Sequence, residues 1–178
     1  EKIDLNISID NSEHDGFHKA ATGGVKDKGK QTKSSIGGTY TTNGGTEISL
    51  DLYRTNSDTR YPNSLSDAQF KADPTGNGSG NRYTYRDAES STTNFKVKRN
   101  WGENFQFTTN RSAIDKESQN YYSWSGTTVN NYKYDYMSND YLLTYTNGDI
   151  KIDSGINMFE GKRTIESTTS TSRNTTSK

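Results

Sequence analysis

Tyr141-Leu142-Leu143-Thr144-Tyr145-Thr146-Asn147-Gly148-Asp149-Ile150-Lys151-Ile152 reads as two strands folded back on a very tight turn. Tyr141, Leu143 and Tyr145 form one face of the first strand, and Ile150 and Ile152 one face of the second, because strand side chains alternate sides. The Asn-Gly pair between them tolerates the positive φ that closed hairpins use. Thr42-Asn43-Gly44-Gly45 and Asn100-Trp101-Gly102-Glu103 repeat the plan.

Working outward, the same two-residue alternation recurs and helical periodicity is nearly absent. Ile3, Leu5, Ile7 and Ile9 alternate with polar residues, as do Ile48, Leu50 and Leu52, then Phe95 and Val97, then Phe105 and Phe107. The pattern predicts eight strands, near 2–11, 17–25, 33–42, 46–58, 83–99, 103–114, 129–146 and 149–168. Residues 26–33 fit a solvated turn. The segments opposite the tight turns are long and polar, near 59–82 and 115–128, with a shorter one near 11–16. Short turns at one end and long loops at the other are the habit of outer-membrane β-barrels. The predicted fold is an all-β, antiparallel, up-and-down transmembrane barrel segment of about eight strands. Residues 1–178 are taken as part of one such domain.

Composition argues the same way. Leu, Ile, Val and Phe are 25 of 178 residues, a share below the roughly 20% at which disorder becomes a serious reading. Disorder usually also brings a large net charge and few aromatics. Here 22 basic residues balance 22 acidic ones, and there are 12 tyrosines. With a mean hydropathy of −1.12, ordering each residue at about 1–2 kcal/mol leaves little for an ordinary core. A polar-lined barrel, or an elongated β array held by ladder hydrogen bonds and cross-strand pairs, escapes that limit. The charge balance offers no basic stripe for nucleic acid. No apolar run approaches the 18 or so residues of a membrane helix. Without cysteine, disulfide scaffolds and thiolate metal sites are excluded. Starting at Glu1 rather than Met, the chain reads as mature, truncated or an internal piece.

Chemistry-bearing motifs are sparse. His14 and His18 are four apart, but the β context points them to different places, as solvated loop residues. Asp73, Thr75, Asn77, Ser79 and Asn81 offer oxygens at alternate positions, yet a calcium loop needs several carboxylates and only Asp73 is one. The Gly76–Gly80 tract lacks the strand–turn–helix context of a phosphate cradle. No Ser-His-Asp arrangement can be assembled, since neither histidine has an evident orienting partner. The chain is therefore read as a non-enzyme with no cofactor and no metal site. Aromatics are the clearest local signal: Tyr121, Tyr122 and Trp124 cluster, as do Tyr132, Tyr134 and Tyr136, either as an interfacial belt or as a ligand-contacting surface.

The order of pieces resembles the barrel of TonB-dependent outer-membrane receptors, in the cobalamin- and siderophore-receptor branch. The resemblance rests on Ile3–Ile9 leading into His14-Asp15-Gly16-Phe17. It continues through Gly37–Asn43, a tight turn and Ile48–Arg54 running into a long loop. It ends with Tyr141–Asn147, a turn and Ile152–Met158. It covers most of the chain as an overall pattern rather than a signature. It implies part of a 22-stranded barrel in the bacterial outer membrane, with plug and remaining strands absent. It further implies TonB-energised uptake of a metal chelate such as siderophore-iron, haem or cobalamin. The expected partners are that small chelate, outer-membrane lipid and, through the missing plug, the inner-membrane TonB complex. Some receptors of this branch order loop calcium through aspartates. Asp10, Asp15, Asp58 and Asp67 lie in comparable stretches, but none is carried over as a site. Loop length and aromatic clustering put the expected ligand contacts at Tyr61, Tyr121, Tyr122 and Trp124. The alternatives are a small standalone eight-stranded outer-membrane barrel, or a secreted β-rich adhesin.

Overall fold

The structure, a computed structural model, describes residues 1–19, 26–77, 84–123, 127–167 and 170–177. The alternating segments become seven long strands: β1 (Lys2–His14), β2 (Lys28–Thr41), β3 (Thr46–Tyr61), β4 (Thr84–Trp101), β5 (Phe105–Ser123), β6 (Thr127–Asn147) and β7 (Ile150–Ser167). A shorter β8 (Ser170–Ser177) lies along β7. All pair antiparallel in sequence order within one sheet. The fold is thus all-β and up-and-down. One six-residue helix, α1 (Asp67–Ala72), interrupts the β3–β4 connection behind a Ser66/Gln69 capping box.

The tight turns form as the sequence requires, with one shift. At 42–45 the positive φ falls on Gly45 rather than on Asn43 or Gly44. The Gly45 amide donates to the Thr42 carbonyl, the arrangement of a short turn closed by a left-handed glycine. Gly148 takes φ +55° at the first of two loop positions, the place a type II′ hairpin turn gives to glycine.

Three sequence expectations are corrected. Residues 17–19 are not strand, and the rest of the expected strand 17–25 lies outside the described residues. Lys28–Lys33, expected in a solvated turn, instead begins β2 and pairs with β1 through Glu13↔Lys30 and His14↔Gly29. The expected loop 115–128 is mostly strand: β5 continues to Ser123 and β6 starts at Thr127. Those polar residues lack an apolar alternation, but ladder bonds and cross-strand pairs hold them. Lys133 Nζ donates to Glu117 Oε1 at 2.8 Å, and Gln119 Nε2 to Asn131 Oδ1 at 3.0 Å.

The registers sort every strand residue onto one of two faces. One face carries Ile3–Ile9 at alternate positions, then Ile36 and Tyr40, then Ile48, Leu50 and Leu52. It goes on through Phe95 and Val97, Phe105 and Phe107, Tyr141 to Tyr145, and Ile150 to Met158. These form one apolar band across seven strands, lying beside the tight turns. The band is open to its surroundings, with Leu5 79% and Ile156 66% exposed, and no large side chain among the described residues is fully buried. The other face at the same level carries Asp4, Asn6, Ser49, Asp51, Lys96 and Asp153. Relative to the pairing rows, the band slides toward the turns by about five residues between β1 and β7. At about 3.4 Å per residue and 4.8 Å per strand this is a slant of roughly 30°. Among the described residues, β1 pairs only with β2, and β7 only with β6 and β8, so the sheet is open rather than closed.

Candidate functional site

Beyond the band the strands run on toward the long connections, and there the chemistry divides by face. On the banded face, like charges stand directly opposite one another at Asp58↔Asp87, Glu89↔Glu117 and Asp115↔Asp135. Such pairs are unfavourable. Arg54 holds Glu89 and Lys133 holds Glu117, which offsets part of the repulsion. Burial, then the facing Asp58 charge, pushes the Asp87 carboxyl above its usual range, while Arg60 opposes the rise. Asp58, Asp87, Glu89 and Glu117 border a groove of about 690 Å³. No group of three or more His, Asp or Glu able to hold a metal occurs among the described residues. Tyr121 stacks on Tyr85 at 4.8 Å, with the Arg60 guanidinium 5.5 Å from the Tyr85 ring.

On the polar face Tyr132, Tyr134 and Tyr136 follow one another along β6. Their ring centroids are 6.4 and 5.9 Å apart, and Phe159 of β7 continues the stack at 5.8 Å from Tyr136. Gly161, directly opposite Tyr136, leaves room for that ring. The Arg163 guanidinium lies 5.8 Å from the Tyr132 ring and 5.6 Å from the Tyr134 ring, and Lys116 Nζ lies 6.0 Å from Tyr134. Both are within cation–π range. A smaller pocket of about 210 Å³ opens on the same face beside Tyr61, Arg86 and Lys116.

The first two long connections are tied together above the sheet. Asp27 accepts hydrogen bonds from the Phe17 and His18 amides, both 3.0 Å, and its Oδ2 lies 3.1 Å from His18 Nδ1. Burial alone would raise the Asp27 carboxyl, but these bonds outweigh it and hold it below its ordinary value. Lys19 reaches across to the β3–β4 connection: its amide donates to the Thr75 carbonyl at 2.7 Å and its Nζ to Asp73 Oδ2 at 2.6 Å. Asp73 is held down to about 2, first by Lys19 and then by Thr75. So Asp73 caps a clasp, and Thr75 and Asn77 serve that clasp too. His18 does have an orienting carboxylate, which spacing alone did not reveal. No hydroxyl bonds its ring among the described residues. His14 ends β1 on the polar face, directly over Gly29.

The expected contacts do not converge on one cluster. Tyr61 ends β3 on the polar face, whereas Tyr121 sits on the banded face against Tyr85. Tyr122 lies in β5, its side chain outside what the structure describes, and Trp124 lies outside the described residues. Arg86, Lys116 and Arg163 were not singled out by motif or by clustering. The signal that finds them is strand parity once the register is known.

No protein-family model matches the chain, and no curated protein or solved structure shows significant similarity to it.

Proposed function

We propose that the chain is a stretch of wall in a larger outer-membrane β-barrel. Its banded face meets lipid, its polar face lines the lumen, and its tight turns lie at the periplasmic side. In this reading the barrel is a receptor that takes up a metal chelate with energy from a TonB complex. No residue makes or breaks bonds.

The observation that carries this reading is the apolar band, which crosses seven strands on one face with Arg99 and Ser154 as interruptions, whereas the other face at that level is polar apart from Leu142. A water-soluble sheet would hide such a surface, since contiguous exposed apolar patches of this extent mark interaction sites. Its slant supports the same reading, because strands of membrane barrels tilt by about 35–45° to the axis, so a level lipid belt must cross the pairing rows obliquely. Tyr40, Trp101, Phe105 and Tyr145 lie at its turn-side margin, as an interfacial girdle would. The open sheet favours part of a larger barrel over a closed eight-stranded one, since among the described residues β1 shares a ladder with neither β7 nor β8.

Residues 1–178 carry no cysteine, so single labels can be placed in them once any cysteine elsewhere in the full-length protein is replaced. Single cysteines at Leu5, Leu50 and Phe95, and at Asn6, Ser49 and Lys96 on the other face, are labelled with a fluorophore in the full-length protein in vesicles. Lipids with brominated chains should quench the first set and spare the second. Equal quenching of both sets, or a monodisperse monomer without detergent, would sink the lipid-facing assignment. The transport arm is proton-motive-force-dependent accumulation of a ferric chelate by cells carrying the protein.

A further inference from the structure

Beyond the band, β3 to β7 carry nine carboxylates: Asp58, Asp87, Glu89, Asp115, Glu117, Asp135, Asp140, Glu160 and Glu166. By register all but Asp140 fall on the banded face; Asp140 lies on the polar face beside the band, where the Asn110 and Asn157 side-chain amides donate to it. Past Asp140 the polar face, from Tyr53 on β3 to Ile165 on β7, has no carboxylate. It carries Arg86, Lys116 and Arg163, none of which is in an ion pair among the described residues. Arg86 Nε is buried without a hydrogen-bond partner. Glu89 borders the pocket beside Arg86 and Lys116, but its carboxylate belongs to Arg54 on the opposite face.

A chain of zero net charge has therefore concentrated unneutralised cations on one surface and set them against stacked tyrosines. We infer that this surface, built on Tyr132, Tyr134, Arg163, Lys116 and Arg86, binds an anion that carries flat rings. The rings would lie along the tyrosine strip, where aromatic faces accept offset stacking. The negative groups would meet Arg163 and Lys116, whose positions over the rings fix them without neutralising them. The unpaired Arg86 Nε, buried in the adjoining pocket, supplies a donor that an anionic oxygen would satisfy. Cationic ligands are disfavoured because no carboxylate stands among these residues, Asp140 lying apart at the band-side end of the face.

This inference deepens the uptake reading by naming the charge and shape of the cargo, and it rests on that reading only in placing the surface in a lumen. The test uses full-length protein in detergent micelles and isothermal titration calorimetry. The probes are a disulfonated catechol, free and as its ferric complex, and a flat tetracationic porphyrin. At least one form of the catechol should bind, more weakly as salt rises. Binding of both forms identifies the ring anion itself as the ligand, and binding of the ferric form alone identifies the chelate. Arg163→Gln and Lys116→Gln should each weaken it about tenfold, as loss of a charge-assisted contact does. Tyr134→Leu should weaken it about fivefold. Lys133→Gln and Arg54→Gln on the other face should stay within about twofold. Absence of catechol binding, equal binding of the cationic porphyrin, or equal losses from the two faces would overturn the inference. Lipid quenching without anion binding would remove this surface and leave the barrel. Anion binding without lipid quenching would do the reverse.

Discussion

The ring of Tyr136 covers Gly161 across the β6–β7 ladder so closely that a Cβ there would stand 2.8 Å from Tyr136 Cδ1. The same ring stacks on Tyr134 and Phe159, so the absent side chain seats the middle of the aromatic strip. Gly161→Val should displace Tyr136 and destabilise the protein by about 1–3 kcal/mol, as overpacking does. Tyr136→Leu in the same background should recover part of that loss. Denaturant titration of the single and double variants checks the coupling.

A charge introduced into the band should be far more costly than one directly behind it. Leu50→Lys is expected to cost about 2–4 kcal/mol if the site lies near the bilayer midplane. Ser49→Lys, on the polar face, should cost under about 0.5 kcal/mol. Reversible unfolding from vesicles measures both, and equal costs would contradict the facing of the sheet.

Asp87→Asn should stabilise the protein by about 0.5 kcal/mol, because it removes a like charge directly opposite Asp58. The sign follows from the raised Asp87 carboxyl: folding favours the protonated form, so this site weakens stability above its folded titration point. The penalty is relieved as pH falls toward the ordinary carboxylate range. The gain from Asp87→Asn should therefore be present at pH 7 and shrink on acidification.

The clasp should respond to pH in the opposite sense. Asp27 and Asp73 are both held below their ordinary values, so their contribution is complete above about pH 4. It is lost as pH falls, for Asp73 toward about 2. The protection factors of the Phe17, His18 and Lys19 amides should fall over that window while those of β3 and β4 hold. Asp27→Asn should bring that loss of protection to neutral pH.

Much of the architecture was legible because the deciding signals are local. The hairpin from Tyr141 to Ile152 announces itself through alternation and a glycine turn. Register, however, is a relationship between strands, and alternation within one strand does not say which faces coincide. That is why Tyr61 and Tyr121 were grouped although they lie on opposite sides, and why Arg163 and Lys116 went unnoticed. The polar ends of β5 and β6 escaped for a related reason. Ser118 to Asn120 and Asn130 to Tyr132 carry no apolar period, and pairing rather than hydrophobicity makes them strands. The His18–Asp27 contact joins residues nine apart through a loop whose path spacing does not predict.

Among the described residues, each strand touches only the strands beside it in sequence, and no large side chain is shut away at a common centre. Cohesion is therefore passed from neighbour to neighbour, as in quasi-one-dimensional proteins. Such a sheet unzips from its margins instead of melting as one body. Exchange protection would then fall off in steps from β4 and β5 outward, with the short edge strand β8 the first to let go and β1 next.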